Sequence, residues 1–171
     1  MDAGAANTGV SYADGPLGEA ELDYGWFQGG DGSYFLGLSL SSEPTACMHA
    51  LEYGREPANS WSMALSLERM DPTRAPLEPG SYAIGRTASE AGDVVLAAIL
   101  QRTDDACRNT LGDGPGPLTA ESGVLDIEVL GADEVIGRYS LTFADGRIEG
   151  QVVATECGVP SVGSPLCLPA E

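Results

Sequence analysis

The stretch Glu121–Cys157, ESGVLDIEVLGADEVIGRYSLTFADGRIEGQVVATEC, restricts the fold more than any other part of the chain. Its apolar residues fall on alternate positions, and a glycine-bearing turn signal, Asp145-Gly146, divides its second half. A two-residue type I′ turn needs positive φ at both central positions, which Asp-Gly supplies readily. Such a turn sets Phe143 opposite Ile148, Leu141 opposite Gly150, Tyr139 opposite Val152 and Gly137 opposite Ala154. The opposite face carries Thr142, Ser140 and Arg138 against Glu149, Gln151 and Val153. One face is thus apolar or small and the other mostly polar, the signature of a half-buried antiparallel sheet. A slip of one residue would bury Glu149 and Gln151, so the pattern enforces its register. Upstream, Leu125, Ile127 and Val129 alternate with Asp126 and Glu128, and a Gly131-Ala132-Asp133 loop sets Val129 opposite Val135. A helix would scatter these residues around its whole circumference.

The same period recurs along the chain. Ala20, Leu22, Tyr24 and Trp26 define a strand within 18–28, and Tyr34, Leu36, Leu38 and Leu40 define its hairpin partner after a Gly-rich turn. Trp61, Met63, Leu65 and Leu67 alternate with Ser62, Ala64, Ser66 and Glu68. A short strand is expected over 81–86. The run Val94–Leu100, VVLAAIL, is too short for a helix to be favoured and suits a strand buried on both faces. Residues 47–53 suit a short strand, with a helical turn as the alternative. Residues 71–80 hold Pro72, Pro76 and Pro79 and form a crossing loop, and 109–119 is a second, glycine-rich one. The expected fold is all-β: an antiparallel β-sandwich of eight or nine strands ending in a three-stranded meander, with a closed β-barrel as the alternative. Residues 1–17 read as a flexible leader, 18–157 as the β domain and 158–171 as coil tied down by Cys167.

Charge excludes several function classes. Twenty-six acids against eight bases give a formal −18, and every base is Arg. Such a field repels phosphate backbones and anionic headgroups, so neither nucleic-acid binding nor electrostatic membrane docking is expected. No apolar run reaches the length of a membrane span. Nothing after Met1 has the basic and apolar regions of a signal peptide, so an exported chain would have had its signal upstream.

The four cysteines, Cys47, Cys107, Cys157 and Cys167, show no C-x-x-C spacing, which disfavours zinc ribbons and thioredoxin-like redox sites. An even count in a strand-rich chain points to two disulfides and an oxidising compartment. Three connectivities are open; Cys107–Cys157 with Cys47–Cys167 is preferred, because the first would tie together the outer ends of the meander region.

Catalytic signals are sparse. His49 is the one histidine, and there is no G-x-S-x-G, P-loop or H-E-x-x-H motif. Cys47 and His49 would share one face of a strand, yet a structural cysteine beside an incidental histidine is the better reading of them. Asp31, Asp113 and Asp145 each lie beside a loop glycine and are calcium candidates, although none follows the EF-hand spacing and Asp145 already has a turn to form. Trp26, Phe35 and Trp61 are candidates for a stacking surface facing a carbohydrate or protein partner. At strand spacing such residues more often belong to the core.

The order GSYAIG (80–85), an apolar strand, Cys107 in a loop, SGVLDIEVL (122–130) and GRYSLTFADGRIEGQVVATEC (137–157) resembles a broad group of small bacterial β-sandwich proteins of the cell envelope. The resemblance covers about the C-terminal half and consists of strands and turns, with no catalytic signature. It implies export and a disulfide near Cys107 and Cys157; it carries over no functional residues. Unlike the lipid-anchored members, this chain has no cysteine at its start. The expected function is a non-catalytic exported protein, in the periplasm or at the surface, with a binding or structural role in a bacterial envelope. One alternative is a subunit of an extracellular filament or surface layer, self-associating by strand addition from the leader. Another is a carboxylate-dependent hydrolase.

Overall fold

The computed structural model describes residues 5–6, 12–14, 17, 20, 22–43, 58–71, 73, 75–88, 92–114 and 116–157. The protein is all-β. Its strands are β1 (Ala5–Ala6), β2 (Tyr12–Asp14), β3 (Tyr24–Gly29), β4 (Phe35–Ser41), β5 (Trp61–Arg69) and β6 (Gly80–Ala83). They continue as β7 (Gly85–Thr87), β8 (Val94–Arg102), β9 (Leu118–Thr119), β10 (Ser122–Leu130), β11 (Glu134–Phe143) and β12 (Gly146–Glu156). All belong to one sheet, ordered β6-β10-β11-β12-β3-β4-β5-β8-β7, with β1, β2 and β9 pairing onto β3, β12 and β8.

That order nearly closes on itself, so of the two architectures expected the barrel is the one formed. Closure is made by the segment 80–87. Its first half, β6, is antiparallel to β10, with Tyr82 opposite Leu125. Its second half, β7, is antiparallel to β8, with Arg86 opposite Val95. At the bend between them, the Ile84 N–H donates to Gly123 O on β10 while Ile84 bridges Leu96 on β8. Gly85 takes φ 90° there, a left-handed conformation that suits glycine.

The interior is filled by the alternate residues that the sequence marks. Leu36, Leu38 and Leu40 of β4, Met63, Leu65 and Leu67 of β5, Leu96, Ala98 and Leu100 of β8 and Leu125 and Ile127 of β10 meet Tyr139, Leu141, Phe143, Ile148, Val152 and Ala154 in one buried cluster. Burying each large side chain stabilises by roughly 1.5–3 kcal/mol relative to exposure. Small barrels take their inner volume from such side chains.

Three registers differ from expectation. The β11–β12 hairpin turns through Ala144-Asp145, so Leu141 faces Ile148 and Tyr139 faces Gly150. This is a shift of two residues, which leaves every side chain on its expected face. Between β10 and β11 a bulge inserts Glu128: Ile127 pairs Gly137, then Val129 pairs Ile136 and Leu130 pairs Val135. The extra residue turns Val129 outward and Leu130 inward. The strand expected over 18–28 begins only at Tyr24 and turns Phe27 to the core, with Trp26 on the outer face. Leu17, Ala20 and Leu22 still enter the core, though from outside any strand.

The leader is not all coil, since β1 and β2 lie within it. The 47–53 segment, His49 and the 158–171 tail lie outside the described residues. Among the described residues no cysteine pair is at disulfide distance, so the expected Cys107–Cys157 bridge is not seen, and the expected Cys47–Cys167 bridge lies outside them. Cys157 donates its N–H to Phe27 O beside β3, whereas Cys107 lies in the turn after β8. Along the sheet, β3, β4 and β5 stand between β12 and β8.

The alternation generates a direct test by urea denaturation. Leu141→Ala is expected to lower the unfolding free energy by about 2–5 kcal/mol. Gln151→Ala, on the outer face, should change it by no more than about 0.5 kcal/mol. Equal losses at the two positions would contradict the inward assignment.

Candidate functional site

The outer wall is divided by charge. On β10, β11 and β12 the outward positions carry Asp126, Glu128, Arg138, Arg147 and Glu149, with ion pairs joining Arg138 to Glu128 (3.2 Å) and Arg147 to Glu149. Exposed pairs of this kind stabilise by at most about 1 kcal/mol each. On β4, β5 and β8 the outward residues lying between Glu68 and Gln101 are small or apolar. Two register rows cross the three strands there: Ser39–Ala64–Ile99 and Gly37–Ser66–Ala97. They floor a shallow cavity of about 330 Å³ with no charged side chain in its lining. Phe35 and Ile99 flank it, 42% and 39% exposed. The Phe35 ring lies over Gly37, where a Cβ would fall 3.1 Å from the ring. Glu68, opposite Phe35, is the nearest acid along the rows.

Phe35 is thus the one sequence candidate that lines this groove. Trp26 is buried on the outer face of β3 and stacks on Tyr24 with ring centroids 6.5 Å apart. Trp61 is buried at the start of β5, where the Arg102 guanidinium lies 5.5 Å from its ring centroid. The three aromatic candidates therefore do not form one platform. The remaining groove residues carried a signal in the sequence: VVLAAIL has no polar alternate positions, so half of its side chains must face outward uncovered. Ala97 and Ile99 do, and the run is not buried on both faces.

The calcium candidates separate. Gly112 donates its N–H to Asp145 Oδ2 at 3.1 Å, which brings the Asp113 loop beside the β11–β12 turn. Asp31 lies in the β3–β4 turn at the other end of the barrel, where Gly30 approaches Gly131 of the β10–β11 turn. Among the described residues no three His, Cys, Asp or Glu side chains form a group able to hold a metal.

Two other polar positions organise the barrel ends. Arg69 closes β5 on its inward face and is buried; its guanidinium donates to Gly92 O and Pro76 O, tying the crossing loop down. Nearby, burial pushes the Tyr82 hydroxyl above its ordinary pKa, and it donates to Glu78 O. At the other end, Asp104 accepts from the backbone N–H groups of Ala106 and Arg108 and from the Arg108 guanidinium. The Arg108 N–H bond is the largest cause holding the Asp104 carboxyl below the ordinary Asp range. These bonds fold the loop in which Cys107 takes φ 59°.

The chain matches no family model, no curated protein and no solved structure. The class defined by fold and surface is therefore a barrel-like all-β protein with an uncharged groove on its outer wall.

The lowered Asp104 pKa gives a pH dependence of fixed sign. Its carboxylate contacts are fully present above the unfolded-state pKa and are lost as pH falls through the lower folded-state value. Hydrogen exchange at the Ala106 and Arg108 amides is therefore expected to lose protection on acidification below the ordinary Asp range. Asp104→Asn should already lack part of that protection at neutral pH. Unchanged protection in the variant would rule out the carboxylate as the loop's organiser.

Proposed function

We propose that this chain is a non-catalytic, exported protein of a bacterial envelope that acts by binding or as a structural component. One observation carries this: the barrel interior is occupied by its own side chains, while the groove on the outer wall is lined by Phe35, Gly37, Ser39, Ala64, Ser66, Ala97 and Ile99 with no titratable group. A surface of that composition supplies contact area and two hydroxyls, those of Ser39 and Ser66, and no general acid or general base. On a chain of formal charge −18, an uncharged patch is also where a second surface can approach without direct charge repulsion.

Cysteine usage supports the exported part. Neither described cysteine is a free thiol, and the two are not at bonding distance from each other. Each is therefore assigned to one of the remaining two. The β4–β5 connection that contains Cys47 leaves and re-enters the barrel at the Cys107 end, because Ser42 donates its N–H to Trp61 O and Asn59 donates to Asp104 O. Cys157 lies at the opposite end, ten residues before Cys167 in the sequence. We infer the pairing Cys47–Cys107 with Cys157–Cys167, of which the first, closing the longer loop, would stabilise by about 4 kcal/mol on the chain-entropy account.

Alkylation without reductant, followed by intact mass and peptide mapping, tests both statements on protein from its native source. No alkylated thiol is expected, with fragments joined 47 to 107 and 157 to 167. Four alkylated thiols would overturn export into an oxidising compartment; a 107 to 157 linkage would overturn the pairing alone.

A further inference from the structure

Around the barrel every neighbouring pair of long strands is antiparallel except one. β12 and β3 run parallel and share only two register pairs, Thr155 with Trp26 and Glu156 with Phe27. Just below these the backbones are pressed together, since a Cβ on Gly25 would stand 2.6 Å from Val153 O. From there the two strands take different partners. β3 pairs antiparallel with β1, Gly25 opposite Ala5 and Tyr24 opposite Ala6. β12 pairs antiparallel with β2, Arg147 opposite Asp14, Ile148 opposite Ala13 and Glu149 opposite Tyr12. β1 also packs against β12. The leader thus descends in the fork between β3 and β12, antiparallel to both, where an alternating sheet lacks one strand.

We propose that this fork is a strand-acceptor site, and that it takes the leader of a second copy of the chain in exchange for its own. A ladder of backbone hydrogen bonds does not distinguish which chain supplies the strand. Among the described residues the leader holds by short ladders, two pairs on β3 and three on β12. Downstream of it, Leu17, Ala20 and Leu22 are anchored in the core, 4%, 3% and 1% exposed. Exchange conserves the ladder in each copy and costs only association, which becomes favourable as concentration rises. With a formal −18 on each copy, salt promotes it by screening their repulsion. Each copy offers one donor and one acceptor, so exchange yields reciprocal pairs or head-to-tail chains.

Full-length chains carrying single thiols test this. A ¹⁵N-labelled Tyr12→Cys chain is mixed with an unlabelled Glu149→Cys chain at rising protein and salt concentration, oxidised, and mapped by mass spectrometry. A dimer linked from labelled residue 12 to unlabelled residue 149 is expected. Its yield should be about tenfold above that with Glu128→Cys, an exposed position off the fork, and should grow with concentration. The double variant Tyr12→Cys/Glu149→Cys should give an internal link when dilute. Internal links at every concentration with no mixed dimer would overturn the proposal, as would failure to form either link. Adding Asp14→Pro, which removes the backbone donor facing Arg147 on β12, should abolish the mixed dimer while the thermal transition of the barrel persists. An unchanged yield in that variant would equally overturn it.

Discussion

Inward side chains from eight positions around the sheet meet along one axis, and the rest of the molecule depends on that meeting. The ordered path names nine strands, of which β6 and β7 share one position across the bend at Ile84. Each long strand offers one apolar residue in every two, so a sheet with all such residues on one face must cover that face. Curling into a barrel covers it without a second sheet and leaves few unpaired edges. The segment 80–87 completes the curl because it can bond to β10 with its first half and to β8 with its second.

Much of this was legible in the residues. Period-two burial located β4, β5, β10, β11 and β12, because in those segments each polar residue interrupts an apolar series at a fixed parity. The choice between sandwich and barrel was not legible, since both place the same residues inside. It turns on the bend at Ile84 and Gly85, which reads in sequence as one short strand. The hairpin register slipped by two because Asp145-Gly146 advertises its own turn, while parity alone cannot separate registers differing by two residues. The bulge at Glu128 left no local signal, and Val129 and Leu130 exchanged faces through it. The face of β3 was misread because the alternation was carried through Ala20, Leu22, Tyr24 and Trp26 as one strand, whereas β3 starts at Tyr24.

The candidate site was half legible. Phe35 stood out as an aromatic residue at odds with the parity of its strand, and it is exposed. The residues that floor the groove are small and individually unremarkable. Only the register of β4, β5 and β8 brings Gly37, Ser66 and Ala97 into one row. The fork was not legible at all, because it is made by chain segments far apart in sequence meeting in parallel. Groove and fork lie on different parts of the wall, so what the groove binds and how copies associate are separable properties of one scaffold.

The central claim is closure of a single sheet, and cross-strand nuclear Overhauser effects in the isolated protein test it most directly. The account predicts contacts between Tyr82 and Leu125 and, in the same molecule, between Arg86 and Val95, placing 80–87 between β10 and β8. Contacts to β10 alone, with the Val94–Leu96 edge exchanging freely with solvent, would mean an open or two-layered sheet and would contradict it.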